Sequence, residues 1–310
     1  MENQSAQRLF FKSIGGYNQC VGRESALVRD MKIKRVIINA DDFGFSEGIT
    51  TGIILAHREG IVTSTTLMAN MPYAAEAVHR LKDVPSLGVG VHLNVSQGPA
   101  LSAAGKATLA KSNGLMNHSG GSVIISASCN PRILKAIEAE FQAQIEWALE
   151  HGIKPTHLDS HRHCHAFPAI FSRVARLAKR YKIPYVRWYG EPLSGNGLIA
   201  GEARQKRIRK ALTIFSRFNQ FLQDNLRATR CAWGVEHTGM LDADLLIRLA
   251  DLVRPGITEI ITHPGLPDGI STSNTRLIES RKVELEALCN PDVKNAFLNN
   301  GIELIHYGEI

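Results

Sequence analysis

Short apolar runs alternate with amphipathic helical patterns along almost the whole chain, and this alternation limits the fold more than any other feature. Candidate strands are Val36–Ala40, Val62–Ala69, Gly88–Asn94, Thr156–Ser160, Tyr185–Trp188, Cys231–Val235, Thr258–Thr262 and Glu303–His306. Continuous apolar runs of this length read as strands buried on both faces, which belong to parallel sheets covered by helices. The clearest helix starts at Asn130-Pro131, an N-cap followed by proline at the first helical position, and runs through Ile133, Ile137, Phe141, Ile145 and Leu149 to Gly152. Seven or eight such units favour an α/β fold of the β/α-barrel type over a doubly wound sheet. No Gly-x-Gly-x-x-Gly follows the first strand and no phosphate-binding Walker motif occurs. A chain of 310 residues accommodates one large α/β domain. Residues 1–30 show no periodicity and read as a disordered N-terminal extension, leaving 31–310 as a single catalytic domain. Residues 96–130, rich in Gly, Ser and Ala, read as a long loop over the barrel mouth.

Charge and cysteine content narrow the class. Lys and Arg number 36 against 29 Asp and Glu, for a net charge of +7. The excess concentrates in Arg204 to Lys210 without a compact nucleic-acid motif, so no nucleic-acid partner is expected. The five cysteines, Cys20, Cys129, Cys164, Cys231 and Cys289, are scattered and odd in number. That pattern argues against a disulfide framework or zinc ribbon and for a reducing compartment. No apolar run is long enough to span a bilayer, and Met1 to Gly16 lack the apolar centre of a secretory signal. A cytoplasmic protein is expected. The sequence fixes no oligomeric state, and a homodimer stays open.

Chemistry-bearing residues gather where strands should end. Val36-Ile37-Ile38-Asn39-Ala40 leads directly into Asp41-Asp42. Two adjacent carboxylates repel each other, and a shared cation or a raised pKa on one of them is the usual relief. His92 lies in Gly90-Val91-His92-Leu93, Asp159, His161, His163 and His165 in the segment from Thr156 to His165, and His263 before Pro264-Gly265. In a barrel all of these share one rim. Strand alternation would send Asp159, His161 and His163 the same way. One carboxylate and two imidazoles can form a metal triad with open positions, and Asp159 is well placed to orient an imidazole.

Asn39-Ala40-Asp41-Asp42-Phe43-Gly44, Thr63-Ser64-Thr65-Thr66 with Asn70, Gly90-Val91-His92-Leu93 and Pro155-Thr156-His157-Leu158-Asp159-Ser160-His161 together resemble the motifs of the YdjC-like carbohydrate deacetylases. That family includes chitooligosaccharide and hopanoid-biosynthesis-associated deacetylases. The resemblance runs from about Ile33 to the C-terminus and is weakest across 96–130 and 190–230. It implies a distorted seven-stranded β/α barrel, metal ligation by Asp42, His92 and His161, and Asp41 as the base. It also implies a match of the family's His-Pro motif to His263-Pro264. The implied reaction is hydrolysis of the acetamide of an N-acetylated sugar, with His263 as first candidate for the acid and His163 as second. Asp159, His163 and His165 would support the ligands or the substrate. Mixed imidazole and carboxylate donors suit zinc, cobalt or iron, and the resemblance permits magnesium as well as zinc.

Two alternatives accompany this reading: a barrel-type metal-dependent phosphoesterase, and a non-catalytic sugar-binding protein. A last feature is the basic stretch 203–222. Ile208, Leu212, Phe215 and Leu222 recur as on one helical face, and Arg204, Lys206, Arg207, Arg209, Lys210 and Arg217 surround them. It reads as a barrel helix with a solvated basic side, or as a peripheral membrane contact that brings the site to a lipid-borne sugar.

Overall fold

The structure is a computed structural model and describes residues 33–189, 201–222, 226, 227, 229, 231–273 and 275–310. The expected N-terminal extension lies outside the described residues. Strand β1 (Lys34–Phe43) leads to helix α1 (Glu47–Arg58), β2 (Ser64–Leu67), α2 (Ala74–Arg80) and β3 (Gly88–Leu93). Next come β4 (Gln97–Pro99), α3 (Ala103–Thr108), β5 (Leu115–Asn117), α4 (Gly120–Cys129), α5 (Pro131–Glu150) and β6 (His157–Ser160). The C-terminal part contains α6 (Pro168–Arg180), β7 (Tyr185–Val186), α7 (Ala203–Asn219), β8 (Cys231–Trp233), α8 (Ala243–Leu252) and β9 (Gly256–Thr262). The chain closes with α9 (Glu279–Leu288), α10 (Pro291–Asn299) and β10 (Ile302–Leu304).

All eight expected strands are present and form one parallel sheet in the order β7-β6-β3-β2-β1-β9-β8. This seven-strand path curls into an open barrel. The eighth strand, β10, pairs only with the start of β1, at Lys34 to Val36, and β2 takes over the same edge from Asn39. The two faces of the sheet differ. Val36, Ile38 and Ala40 point outward into the main core beneath the helices, whereas Ile37 packs inside the barrel with Tyr185 and Tyr307. Asn39, Asp41, His157, Asp159 and Glu259 are all buried, so the upper part of the lumen is filled by polar side chains.

The helix expected at 131–150 begins as read: Asn130 caps it by accepting the Arg132 N–H, with Pro131 in the first turn. Its apolar stripe is shorter than the spacing of four suggests. Ile137, Phe141 and Ile145 are fully buried, while Leu149 is 38% exposed. Each step of four residues overshoots the helical period by about 40°, so a long row of such steps winds off the buried face.

Residues 96–130 are not the long loop expected. They hold an antiparallel ribbon of β4 and β5 and the two helices α3 and α4. Sequence periodicity failed here because the support comes from distant polar side chains. Buried Glu140 accepts the N–H groups of Leu101 and Ser102 and the Ser102 hydroxyl. Asn94 accepts the N–H groups of Ser96 and Gln97, and Asn70 donates to the carbonyls of Gln97 and Pro99.

Candidate active site

The carboxyl ends of β1, β3, β6, β7 and β9 converge on one rim. In a regular strand, Asp41 and Asp42 would face opposite sides. The β1–β2 register shifts between Ala40 and Phe43, and Asp42 takes a left-handed conformation with φ of 73°. This bulge turns both carboxylates toward the mouth, and aspartate tolerates that backbone better than most residues.

Asp42, His92 and His161 bring their ligand atoms within 4.8 Å of one another. Asp42 Oδ1 stands 2.9 Å from His161 Nδ1 and 3.5 Å from His92 Nε2. One oxygen facing two ring nitrogens demands a proton or a metal cation between them. His92 donates from Nδ1 to Asp159 Oδ1 at 2.7 Å, which leaves Nε2 to face the cluster. This donor set fits a divalent ion. A second grouping, Asp41, His92 and Asp159, is also close. It suits an ion poorly, because the Arg187 guanidinium already contacts both carboxylates and would repel one.

Arg187, just beyond β7, is fully buried and anchors the lumen. Its Nη1 and Nη2 fork onto Asp41 at 2.9 and 2.7 Å, Nη1 also reaches Asp159 at 2.7 Å, and Nε donates to Glu259 at 2.8 Å. Burial works against the charge of Asp41, yet Arg187, His92 and His263 outweigh it and hold the carboxyl far below the usual range. Burial likewise opposes charge on His92, but Asp159, Asp41 and Asp42 raise its pKa to about 9. Asp42 remains ionised against its burial through His161 and Arg281. The buried Arg281, on α9, donates to Asp42 Oδ2 at 2.5 Å and to the His263 carbonyl at 3.4 Å. Each aspartate of the pair thus has its own guanidinium.

His263, at the end of β9, directs Nε2 to 3.9 Å from Asp41 Oδ2. Burial lowers its pKa to about 4, and its Nδ1 is buried without a partner among the described residues. Glu284, beside Arg281 on the same helix, accepts the His263 backbone N–H at 2.6 Å, and burial raises its pKa to about 7.

The remaining candidates separate. Asp159 is wholly buried, shared between His92 and Arg187. The alternation expected to carry His163 ends at Ser160, because residues 161–166 form a tight turn with Arg162 and His163 in left-handed conformation. His163 instead accepts from or donates to the Tyr189 hydroxyl at 2.8 Å through Nδ1. His165 is fully buried, its Nδ1 2.6 Å from the Ser160 hydroxyl and its Nε2 3.2 Å from the Arg187 carbonyl. It braces the turn and the Arg187 backbone. The Thr63-to-Thr66 motif also gains a physical meaning. Thr63 ties β1 to Ile305, Thr65 donates to the Ala40 carbonyl, and Thr66 contacts both His92 and Asp159.

Sequence reading missed Arg187, Glu259, Arg281 and Glu284. The first two carried a usable signal: a charge inside Tyr185-Val186-Arg187-Trp188 and inside Thr258-Glu259-Ile260-Ile261, strands otherwise apolar on both faces. The helical pair had none.

Comparisons with known proteins agree with this architecture. A carbohydrate deacetylase of Geobacillus stearothermophilus is 34% identical over 274 residues, covering 88% of this chain and 96% of that protein. One of Brevibacillus brevis is 33% identical over 276 residues, covering 89% and 99%. A crystal structure from Enterococcus faecalis V583, described as a candidate cellobiose-phosphate cleavage protein, superposes with a TM-score of 0.69 at 27% identity, covering 89% of this chain and 98% of that one. The family model for YdjC-like proteins matches residues 35–299. With the match spanning the whole barrel and its rim, the chain belongs to the YdjC-like protein family.

Proposed function

We propose that this protein is a metal-dependent carbohydrate deacetylase, a hydrolase that removes the N-acetyl group from an N-acetylated sugar. One observation carries the reading: Asp42, His92 and His161 converge beside an ionised Asp41 that Arg187 holds in a fixed orientation. The names of the relatives, carbohydrate deacetylases, support it. Asp42, His92 and His161 would hold one divalent ion, and their mixed nitrogen and oxygen donors favour zinc over magnesium. When bound, such an ion supplies Lewis acidity for a carbonyl and lowers the pKa of water.

The protein's own residues would handle the protons. Asp41 accepts a proton from the attacking water. Its low pKa makes it a weak base, so Arg187 trades basicity for placement. His263, neutral at pH 7 and with Nε2 facing Asp41 Oδ2, would take that proton from Asp41 and pass it to the departing nitrogen. A carbon–oxygen bond forms, the carbon–nitrogen bond breaks, and the amine gains the proton that the water lost. The phosphoesterase alternative is less favoured, because Arg187 occupies the carboxylates that a second ion would need. Residues 31–310 would form the catalytic unit.

The test is acetate release from N-acetylglucosamine oligomers and N-acetylated glycolipids, with several added metals. Release that depends on metal is expected. Absence of release from every substrate with every metal would remove the enzyme reading and favour a sugar-binding role. The substrate would be either a soluble oligosaccharide or a sugar carried on a lipid. No helix among the described residues is long and apolar enough to cross a membrane.

A further inference from the structure

The inner face of α7 behaves as expected for a barrel helix. Leu212, Thr213, Ser216 and Asn219 are buried, Asn219 donates to the Ala166 carbonyl at 2.8 Å, and Phe215 meets Phe167 edge to face. The helix therefore packs against the turn of residues 161–166, which carries His161 and His163 to the rim.

The outer face is unusual. Ile214 is 53% exposed, Phe218 61% and, in the short turn after the helix, Phe221 89%. Arg204, Lys206, Arg207, Lys210 and Arg217 are exposed as well, and residues 203–222 contain no Asp or Glu. At about 100° per residue, Arg207, Lys210, Ile214, Arg217 and Phe218 share one outward arc roughly 100° wide. Arg209 lies off that arc and pairs with Glu236 at 2.6 Å. A solvated barrel helix would carry mixed charges and no large apolar residues on that arc.

We infer that the outer face of α7 docks on an anionic phospholipid bilayer, with Phe218 and Phe221 entering the interface and Arg207 and Lys210 meeting lipid headgroups. Charge selects the partner: a helix with only basic charges complements an anionic surface, and exposed aromatics among them match the interfacial layer of a bilayer. The opposite face grips the rim, so docking would bring the catalytic mouth to lipid-borne sugars. Only that consequence rests on the deacetylase reading. The docking itself is independent of turnover.

The experiment is co-sedimentation of the full chain with phosphatidylglycerol–phosphatidylcholine vesicles and with pure phosphatidylcholine vesicles, at low and high salt. Binding is expected on the anionic vesicles, weakening as salt rises. Each basic residue near such a surface is worth roughly fivefold, so Arg207→Gln with Lys210→Gln should weaken binding by about 25-fold. Phe218→Ser with Phe221→Ser should weaken it at least about tenfold by removing the inserted apolar area. Both double variants should keep wild-type acetate release from a soluble oligosaccharide. Equal and negligible binding to both vesicles at low salt would overturn the proposal. So would phenylalanine variants that bind as wild type, or a dimer dispersed by those variants without vesicle binding, which would mark the face as a contact between copies of the chain. Vesicle binding without acetate release from any substrate would uphold the docking and overturn the deacetylase reading.

Discussion

Arg187→Met isolates the group on which the lumen depends. The wild-type guanidinium is wholly buried and faces three carboxylates, those of Asp41, Asp159 and Glu259, each within 2.9 Å. Methionine fills similar volume and removes the charge. Deleting one partner of a buried ion pair costs about 3–5 kcal/mol, because the other charge stays desolvated and unpaired. Three carboxylates lose their partner here, so that range is a lower bound. At roughly 1.7 °C per kcal/mol for a domain of this size, melting should fall by at least about 5–9 °C at neutral pH. The pH dependence has a defined sign. The wild-type Asp41 carboxyl is held below its ordinary value of 3.8, so its contribution is fully present above that value and lost only as pH falls below it toward the lowered folded value. In the variant, burial without Arg187 raises the same pKa, and stability is lost as pH rises. The gap between the two proteins should therefore widen from pH 4 to pH 7. Differential scanning calorimetry with chelator in both samples measures it. Adding Glu259→Gln should recover part of the loss by removing one stranded charge. A variant that melts within about 2 °C of wild type at neutral pH would refute the argument from buried-pair energetics.

His161→Ala should fold and bind zinc at least about ten- to a hundredfold more weakly, read by titration calorimetry; unchanged affinity would remove His161 from the ligand set. Asp41→Asn should retain the metal and lose about a hundred- to ten-thousandfold in turnover, since an amide cannot take a proton. Near-normal turnover would hand the base role to another group. Gly52→Ala should destabilise by about 1–3 kcal/mol in chemical denaturation, because the new Cβ would lie 2.6 Å from the Gly265 Cα and push α1 off the segment that follows His263. Removal of residues 1–30 should leave melting temperature and activity nearly unchanged, and a large loss of soluble protein would assign that segment to the fold.

Much of the architecture is written locally. A buried parallel strand is largely apolar on both faces, so β1, β3 and β9 are visible as runs, and a charge or imidazole closing such a run marks the rim. Asp41, Asp42, His92, His161 and His263 were legible for that reason. Other features have no local signature. The bulge that turns Asp41 and Asp42 to one side depends on how β1 meets β2. The 96–130 segment is ordered by Asn70, Asn94 and Glu140, whose side chains look like ordinary polar positions in sequence. Arg187 is 146 positions from Asp41 and 72 from Glu259. Arg281 reaches Asp42 from a helix 239 positions away. Period and propensity describe neighbours along the chain, whereas counter-ions for buried charges are chosen by strand order and register. The sequence by itself determined which residues end the strands. Only the curled sheet decided which guanidinium holds which carboxylate, because a buried charge must find its partner in space and not along the chain.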